Sequence, residues 1–373
     1  MSKKAELFLE KRLYDHKHTN GIFLKAVKEN IRFHQLHNKS YADILKKQNF
    51  SIQQIRTIND LYKIPVLPTL YFKSHRIYSI PLKRVLLKST SSGTSGKKSQ
   101  IGYDLRSLKL GLHMIFRMTQ YHKLCSHSFT NYIIFGYQPN KHNQTVVSKT
   151  AFASTLFAPA RKRVYALKLV NGQYQLNFPE VKSNLIEYSK RSSPVRLIGF
   201  PAFLYFFLQR CKEEGLQFML PKDSMVFLGG GWKQFYTEKV EKAELFQLVE
   251  DVLGIKTEKC REFYGAVEHP MIYCSCKNHH FHVPTYSRVI VRDVDTFLPV
   301  ADGKIGLMNF ITPLLNSVPT ISVMTDDLGI LHKGCECGCG IKTPYFEIIG
   351  RVGLHEIKTC ASLANNYLNG GNL

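Results

Sequence analysis

The sequence predicts an α/β fold organised on a largely parallel β-sheet. Between residues 131 and 252, apolar runs of strand length alternate with stretches of helical period, the pattern that builds parallel sheets covered by helices. Two glycine-rich stretches, 89–99 and 229–231, each follow such a run, where open α/β sheets place ligand-binding loops. After residue 280 the apolar runs crowd together without helical stretches between them, which predicts a β-rich C-terminal part.

Residues 1–80 read as mostly helical, because Phe8, Leu9 and Leu13, then Ile22, Phe23, Ala26, Val27 and Ile31, recur at helical spacing. Ile64-Pro65-Val66-Leu67-Pro68 must be extended, since each proline disfavours helix at the residue before it. Val85-Leu86-Leu87 reads as a strand and Leu105–Tyr121 as a helix. Strands are expected at Tyr132–Phe135, Val164–Leu169, Val195–Phe200 and Met225–Leu228, and helices at Val181–Lys190, Ala202–Glu214 and Glu238–Val252. The β-rich part comprises Tyr286–Val291, Gly306–Ile311, Thr320–Val323 and Tyr345–Ile349. The division expected is a helical N-terminal region (1–80), a core (81–350) and an extension (351–373) too short for a core of its own.

With 44% hydrophobic and 12% aromatic residues, the chain has a globular composition rather than a disordered one. A net charge of +23 suits an anionic partner, an acidic membrane surface or nucleic acid. The basic residues are spread out, however, and no helix-turn-helix, RNP or basic-zipper pattern occurs, so nucleic acid is not expected. Met1-Ser2-Lys3-Lys4-Ala5-Glu6 lacks a signal core, and no run of 18 apolar residues occurs; no transmembrane segment and a cytoplasmic location are expected. Of the nine cysteines, Cys274, Cys276, Cys335, Cys337 and Cys339 form two tight groups, which favours metal or thiol chemistry over disulfides.

Five stretches carry candidate chemistry. Ser89–Ser99 holds seven hydroxyls, two glycines and two lysines. Such a loop suits a polyphosphate, because glycines let the backbone N–H groups approach while hydroxyls and lysines donate to it; a flexible linker has the same composition. It is not a Walker A loop, since only Thr94 and Ser95 separate Gly93 from Gly96. Gly229-Gly230-Gly231-Trp232-Lys233 offers a flat backbone edge for a planar base, or a tight turn. In Phe263–Pro270, Glu268 after a Tyr264-Gly265 turn is a one-carboxylate Mg2+ ligand or a surface residue. Thr325-Asp326-Asp327 is a ribose or metal contact or a turn. Gly350-Arg351 alone is a strand end.

In this order and spacing, the set resembles the adenylate-forming superfamily, which includes acyl-CoA synthetases and phenylacetate–CoA ligases. The resemblance spans roughly residues 60–355. The family's phosphate loop matches Ser91 to Lys98, that is Ser91, Ser92, Gly93, Thr94, Ser95, Gly96, Lys97 and Lys98. Its adenine-contacting stretch matches Gly229, Gly230 and Gly231. Its Tyr-Gly-x-Thr-Glu motif matches Tyr264, Gly265 and Glu268, with Val267 in place of threonine. Its Thr-Gly-Asp motif matches Thr325 to Asp327, and its Gly-Arg hinge Gly350-Arg351. Lys98 stands where the wider pattern has proline and Ser99 where it has lysine, so the charge falls to Lys97 or Lys98. Ile64-Pro65-x-Leu67-Pro68 with Phe72-Lys73, Gly229–Lys233, Glu268-His269-Pro270 and Thr325–Gly329 are most similar to the LuxE acyl-protein synthetases.

The resemblance implies the N-terminal domain of an adenylate-forming enzyme without the large C-terminal domain. It implies ATP and Mg2+ as cofactors, a carboxylic acid such as a fatty acid as substrate, Mg2+ on Glu268 and the ribose on Asp327. Cys360, in Lys358-Thr359-Cys360-Ala361, matches the cysteine that takes the acyl group as a thioester before it passes to an acceptor protein, such as an acyl reductase. A buried small hydrophobe is the plainer reading of that cysteine. Phe200 and Pro201 are candidates for the acyl-pocket wall or for plain core. Coenzyme A as acceptor is the runner-up, and a non-enzymatic zinc-containing nucleotide- or nucleic-acid-binding protein is the alternative of a different class. Cys274-x-Cys276 with His279, His280 and His282, followed by Cys335-x-Cys337-x-Cys339, suits a four-ligand structural zinc site. The expected ligands are Cys276, His282, Cys337 and Cys339, with Cys274 and Cys335 as alternates; free thiols are the plainer reading.

Overall fold

The computed structural model describes residues 2–91, 98–137, 152–170, 173–232, 235 and 238–352. The chain forms two compact units, one of residues 1–118, 265–273 and 280 onward, the other of 119–264 and 274–279.

The first unit begins with α1 (Lys3–Phe8), α2 (His16–His37) and α3 (Lys39–Lys47). Their starts are fixed by side-chain caps: Ser2, Asp15 and Asn38 each accept a hydrogen bond from a backbone N–H of the first turn. The inward face of α2 carries Phe23, Ala26, Val27 and Ile31, all fully buried. Asn30 and His34 on the same face donate to the Leu315 carbonyl at 2.8 and 3.1 Å, tying the helix to the 314–317 loop. Strand β1 (Leu67–Pro68) ends in the proline-bounded extended segment and leads into α4 (Thr69–Ser74).

Strands β2 (Leu87–Thr90) and β3 (Gln100–Tyr103) then pair antiparallel as a sheet of their own, followed by α5 (Leu105–Tyr121). This corrects two expectations. The Ser89–Ser99 stretch joins the arms of a hairpin rather than following a strand of a parallel sheet. The strand also begins at Leu87 rather than Val85, whose side chain packs against Gly102: a Cβ there would come within 2.7 Å of Val85 Cγ1.

In the second unit the chain runs β4 (Thr130–Tyr137), β5 (Ala160–Val170), β6 (Gln173–Leu176), α6 (Phe178–Ser189), β7 (Val195–Gly199), α7 (Pro201–Glu213), β8 (Met225–Gly229), α8 (Lys242–Leu253) and β9 (Cys260–Ala266). The strand order is β9-β8-β7-β4-β5-β6, parallel from β9 to β5 and antiparallel at β6. Ile133, Leu197 and Val226 share the buried core with Leu185 of α6, Phe207 of α7 and Phe246 and Val249 of α8. Burial on both faces explains why these strands read as unbroken apolar runs. Where β7 ends, Gly199 takes φ +141°, and a Cβ there would lie 2.2 Å from the Phe135 carbonyl oxygen, so only glycine fits the turn into α7.

The first unit resumes at Gly265, near the end of β9. It continues with β10 (His269–Cys274), β11 (Phe281–His282), β12 (Arg288–Arg292), β13 (Ile305–Ile311), β14 (Ser322–His332) and β15 (Tyr345–Arg351). The last five of these make an antiparallel sheet in the order β11-β15-β14-β13-β12, with β1 added parallel on β14. Two motifs therefore lie in strands rather than turns. Tyr264-Gly265 is inside β9, with the turn two residues later at Val267-Glu268. Thr325-Asp326-Asp327 is inside β14, where opposite charges pair across strands as Asp327↔Arg351.

Candidate active site and thiolate cluster

Glu268 occupies the β9–β10 turn and is almost wholly buried. Desolvation pushes its carboxyl above the ordinary glutamate range. The Ser99 side chain, its own backbone and the Lys73 ammonium oppose that shift, while Asp326 adds to it. Tyr103 belongs to the same environment: burial pushes its phenol up to about 12, the Ser89 hydroxyl opposes, and the Glu268 charge adds. Four elements thus converge on one carboxylate: α4 through Lys73, the β2–β3 hairpin through Ser99 and Tyr103, the β9–β10 turn, and β14 through Asp326. Ser99, at the position where the wider family pattern has lysine, is fully buried with its side chain toward the Glu268 carboxyl. Its N–H donates to Ser91 Oγ at 3.0 Å, which closes the base of the hairpin.

Beside Glu268, Asp326 accepts a hydrogen bond from Thr69 Oγ1 at 3.2 Å and meets Arg351 Nη2 at 3.5 Å. Arg351 Nε lies 3.8 Å from Asp327, and the Asp327 N–H donates to Thr325 Oγ1 at 3.3 Å. The register that sets Asp327 opposite Arg351 holds the two motifs together, although 24 positions separate them in the chain. This arrangement presents partly exposed carboxylates next to a guanidinium, a surface suited to sugar hydroxyls and a phosphate.

In the second unit, Gly229 ends β8 opposite Phe263 of β9, which sets the glycine stretch beside Tyr264. Gly230 and Gly231 both take left-handed backbone, at φ 79° and 67°, so the triple glycine turns sharply at a parallel-strand end. Phe200 caps the start of α7 and Pro201 is its first residue; both are buried. Phe200 packs with Tyr137 and Phe203 at ring separations of 5.7 and 6.0 Å.

A second cluster belongs to the antiparallel sheet. The ligand atoms of His282, Cys337 and Cys339 lie within 4.8 Å of one another. His282 is in β11, and the two cysteines flank Gly338, whose left-handed φ of 70° closes the short helical turn Gly334–Cys337 and turns the chain back. His282 Nδ1 donates to the Thr343 carbonyl at 2.8 Å, which leaves Nε2 with its lone pair, 3.2 Å from Cys339 Sγ. Burial lowers the pKa of His282, keeping it neutral. His280 Nδ1 approaches Cys337 Sγ at 3.2 Å. Two thiols and a neutral imidazole with a fixed tautomer are a donor set that fits a soft divalent cation. Cys276 lies six positions before His282, on the 274–279 segment. Cys335 is exposed, and burial pushes the Cys274 thiol up to about 12.

Ser92, Gly93, Thr94, Ser95, Gly96, Lys97 and Cys360 lie outside the described residues. Lys98, at the foot of the loop, is exposed. Two residues at the Glu268 site were not singled out for it from the sequence. Lys73 appeared only as part of Phe72-Lys73, and Tyr103 carried no signal beyond its closeness to the loop.

Comparison with known proteins decides what these residues belong to. A profile of the acyl-protein synthetase LuxE matches residues 6–369. The chain belongs to the LuxE acyl-protein synthetase family. It is similar to the long-chain-fatty-acid–luciferin-component ligase of Aliivibrio fischeri, 27% identical over 91% of this chain and 87% of the relative. It is also similar to the protein of that name from Vibrio harveyi, 25% identical over 90% and 85%. In solved structures, the fold resembles 2-hydroxyisobutyryl-CoA ligase, with a TM-score of 0.67 at 13% identity over 92% of this chain and 70% of that one. This LuxE-family chain is a ligase with the adenylate-forming fold, and acid activation through an acyl-adenylate is the reading its family supports over the binding-module alternative. Among the described residues, no helix is long and apolar enough to cross a membrane.

Proposed function

We propose that this protein uses ATP and Mg2+ to activate a long-chain fatty acid as its acyl-adenylate, then carries the acyl group on Cys360 to an acceptor protein in the cytoplasm. The buried Glu268 carboxylate, with the Lys73 charge favouring its ionised form and Asp326 close by, is the observation that supports the reading most strongly. A carboxylate raised by burial gains from a cation, and Glu268 is the residue that would hold Mg2+. The metal would neutralise charge on the phosphates. Lys73 adds a cation to the site, with Lys97 and Lys98 next to the loop. Asp327 accepts hydrogen bonds from the ribose hydroxyls, and Arg351, held by Asp326 and Asp327, faces the nucleotide. The fatty acid's carboxylate oxygen attacks the α-phosphorus and pyrophosphate leaves. The Cys360 thiolate then attacks the acyl carbon of the mixed anhydride and AMP leaves. The fatty acid is the substrate named in the two bacterial relatives; Phe200 and Pro201 are assigned to the acyl pocket.

The second cluster is assigned as structural zinc on Cys276, His282, Cys337 and Cys339. The grouping of His282 with Cys337 and Cys339 supports this, and the five-residue link from Cys276 to His282 keeps the fourth in reach. Incubation with ATP, Mg2+ and labelled palmitate tests the reaction: a protein-bound label released by neutral hydroxylamine is expected, and Cys360→Ser should lose it while keeping palmitate-dependent ATP–pyrophosphate exchange. Label retained in that variant would exclude Cys360 as the carrier.

A further inference from the structure

Residues 61–103 contain eight Lys or Arg and no Asp or Glu. Within this stretch the segment Pro81–Lys88 is exposed at every position but Val85. It presents three leucines to water, Leu82 and Leu86 at 60% and Leu87 at 46% exposure, interleaved with Lys83, Arg84 and Lys88. The presentation is firm. The short helical turn Leu82–Arg84 closes on Pro81, the Leu86 N–H donates to the Tyr103 carbonyl at 2.8 Å, and Val85 packs inward over Gly102. Exposed leucines held in place next to cations, without an acid among them, are not accounted for by folding or by the ligase chemistry.

We infer that this segment is a membrane-surface contact, taking the headgroup region of a bilayer that contains anionic lipid. Cations on long stems stay at the phosphates while neighbouring leucines enter the acyl boundary, and both contributions are needed for reversible binding. A protein partner fits less well. Interface anchors are enriched in Trp, Tyr and Arg and depleted in leucine, and the exposed segment has no aromatic residue. The contact lies on the strand that feeds the Ser89–Ser99 loop, so it would bring the enzyme to the phase in which long-chain acids dissolve. The inference rests on surface chemistry alone and holds whether or not the acid substrate is the one proposed.

Vesicle co-sedimentation of the full chain tests it without turnover. Binding to phosphatidylcholine vesicles containing phosphatidylglycerol is expected, with weak binding to phosphatidylcholine alone and release at high salt. The triple variant Lys83→Glu/Arg84→Glu/Lys88→Glu should lower the partition coefficient about a hundredfold, and Leu86→Ala/Leu87→Ala about tenfold or more. Both variants should remain folded and melt close to wild type, since these residues are exposed and none belongs to the buried core. Absence of binding to the anionic vesicles, or binding that the folded variants retain, overturns the inference. Loss of binding to an acidic carrier protein in those variants, with no vesicle binding by the wild type, would reassign the patch to protein docking.

Discussion

His282 Nε2 lies 3.2 Å from the Cys339 sulfur, while the opposite ring nitrogen is committed to the Thr343 carbonyl. The backbone thus selects the tautomer that can donate a lone pair toward the sulfurs. Purified protein should contain about one zinc per chain, and Cys337→Ala and His282→Ala should each lose most of it. Loss of a structural metal is among the few single changes worth on the order of 4 kcal/mol, so both variants should melt well below wild type. Metal-free wild-type protein of unchanged stability would contradict the assignment.

Glu268→Gln should separate activity from stability. Metal stabilisation of charge is worth several kcal/mol, so acid-dependent ATP–pyrophosphate exchange should fall by about a hundredfold or more, at about 1.4 kcal/mol per tenfold. Burial raises the carboxyl's pKa, so stability falls as pH rises from the ordinary value of 4.5 through the raised one, and the penalty is complete above it. The amide removes this penalty, and at pH 8 the variant should be at least as stable as wild type by urea titration.

Gly265→Ala should perturb the same turn through the backbone. A Cβ at Gly265 would lie 2.9 Å from the Met271 carbonyl oxygen across the hairpin. Main chain cannot give way cheaply, so a loss of about 1–3 kcal/mol is expected. Exchange activity should drop with it because the turn holding Glu268 shifts. Equal melting temperatures would show that the hairpin is looser than its geometry indicates.

Acid should destabilise the protein earlier than carboxylate titration alone would. Burial lowers His16, His34 and His269 to about 3 from the ordinary value of 6.5. Below about pH 6.5 the unfolded chain takes up these protons and the folded chain does not, so stability falls from there down to about pH 3. Each histidine contributes roughly 1.4 kcal/mol per pH unit within that window. A plot of unfolding free energy against pH between 6.5 and 5 should slope downward toward acid, and His34→Gln should flatten it. An unchanged slope in that variant would mean that His34 is protonated in the folded state.

The alternating strands and helices of 130–253 were legible because each element buries a continuous apolar face, and that requirement is written locally in the residues. The Cys/His cluster was legible for a related reason: Cys-x-Cys spacing is a property of the chain itself, and His282, Cys337 and Cys339 do come together. The loop at 89–99 was legible by composition but not by setting. Hairpin pairing of Leu87–Thr90 is set by its partner strand Gln100–Tyr103, and nothing in the run Val85-Leu86-Leu87 names that partner. Polar Thr325–Asp327 looked like a turn because its strand character comes from its partner, Arg351, across the sheet.

The sequence by itself determined the fold class, the family, and the residue types gathered at each motif, since these follow from local periodicity and from short motifs in a fixed order. Only the tertiary structure decided that Lys73 and Tyr103 share the environment of Glu268 and that Ser99 is buried beside it. A carboxylate's protonation depends on how much water surrounding elements exclude and which charges they bring near, and those neighbours come from three other parts of the chain.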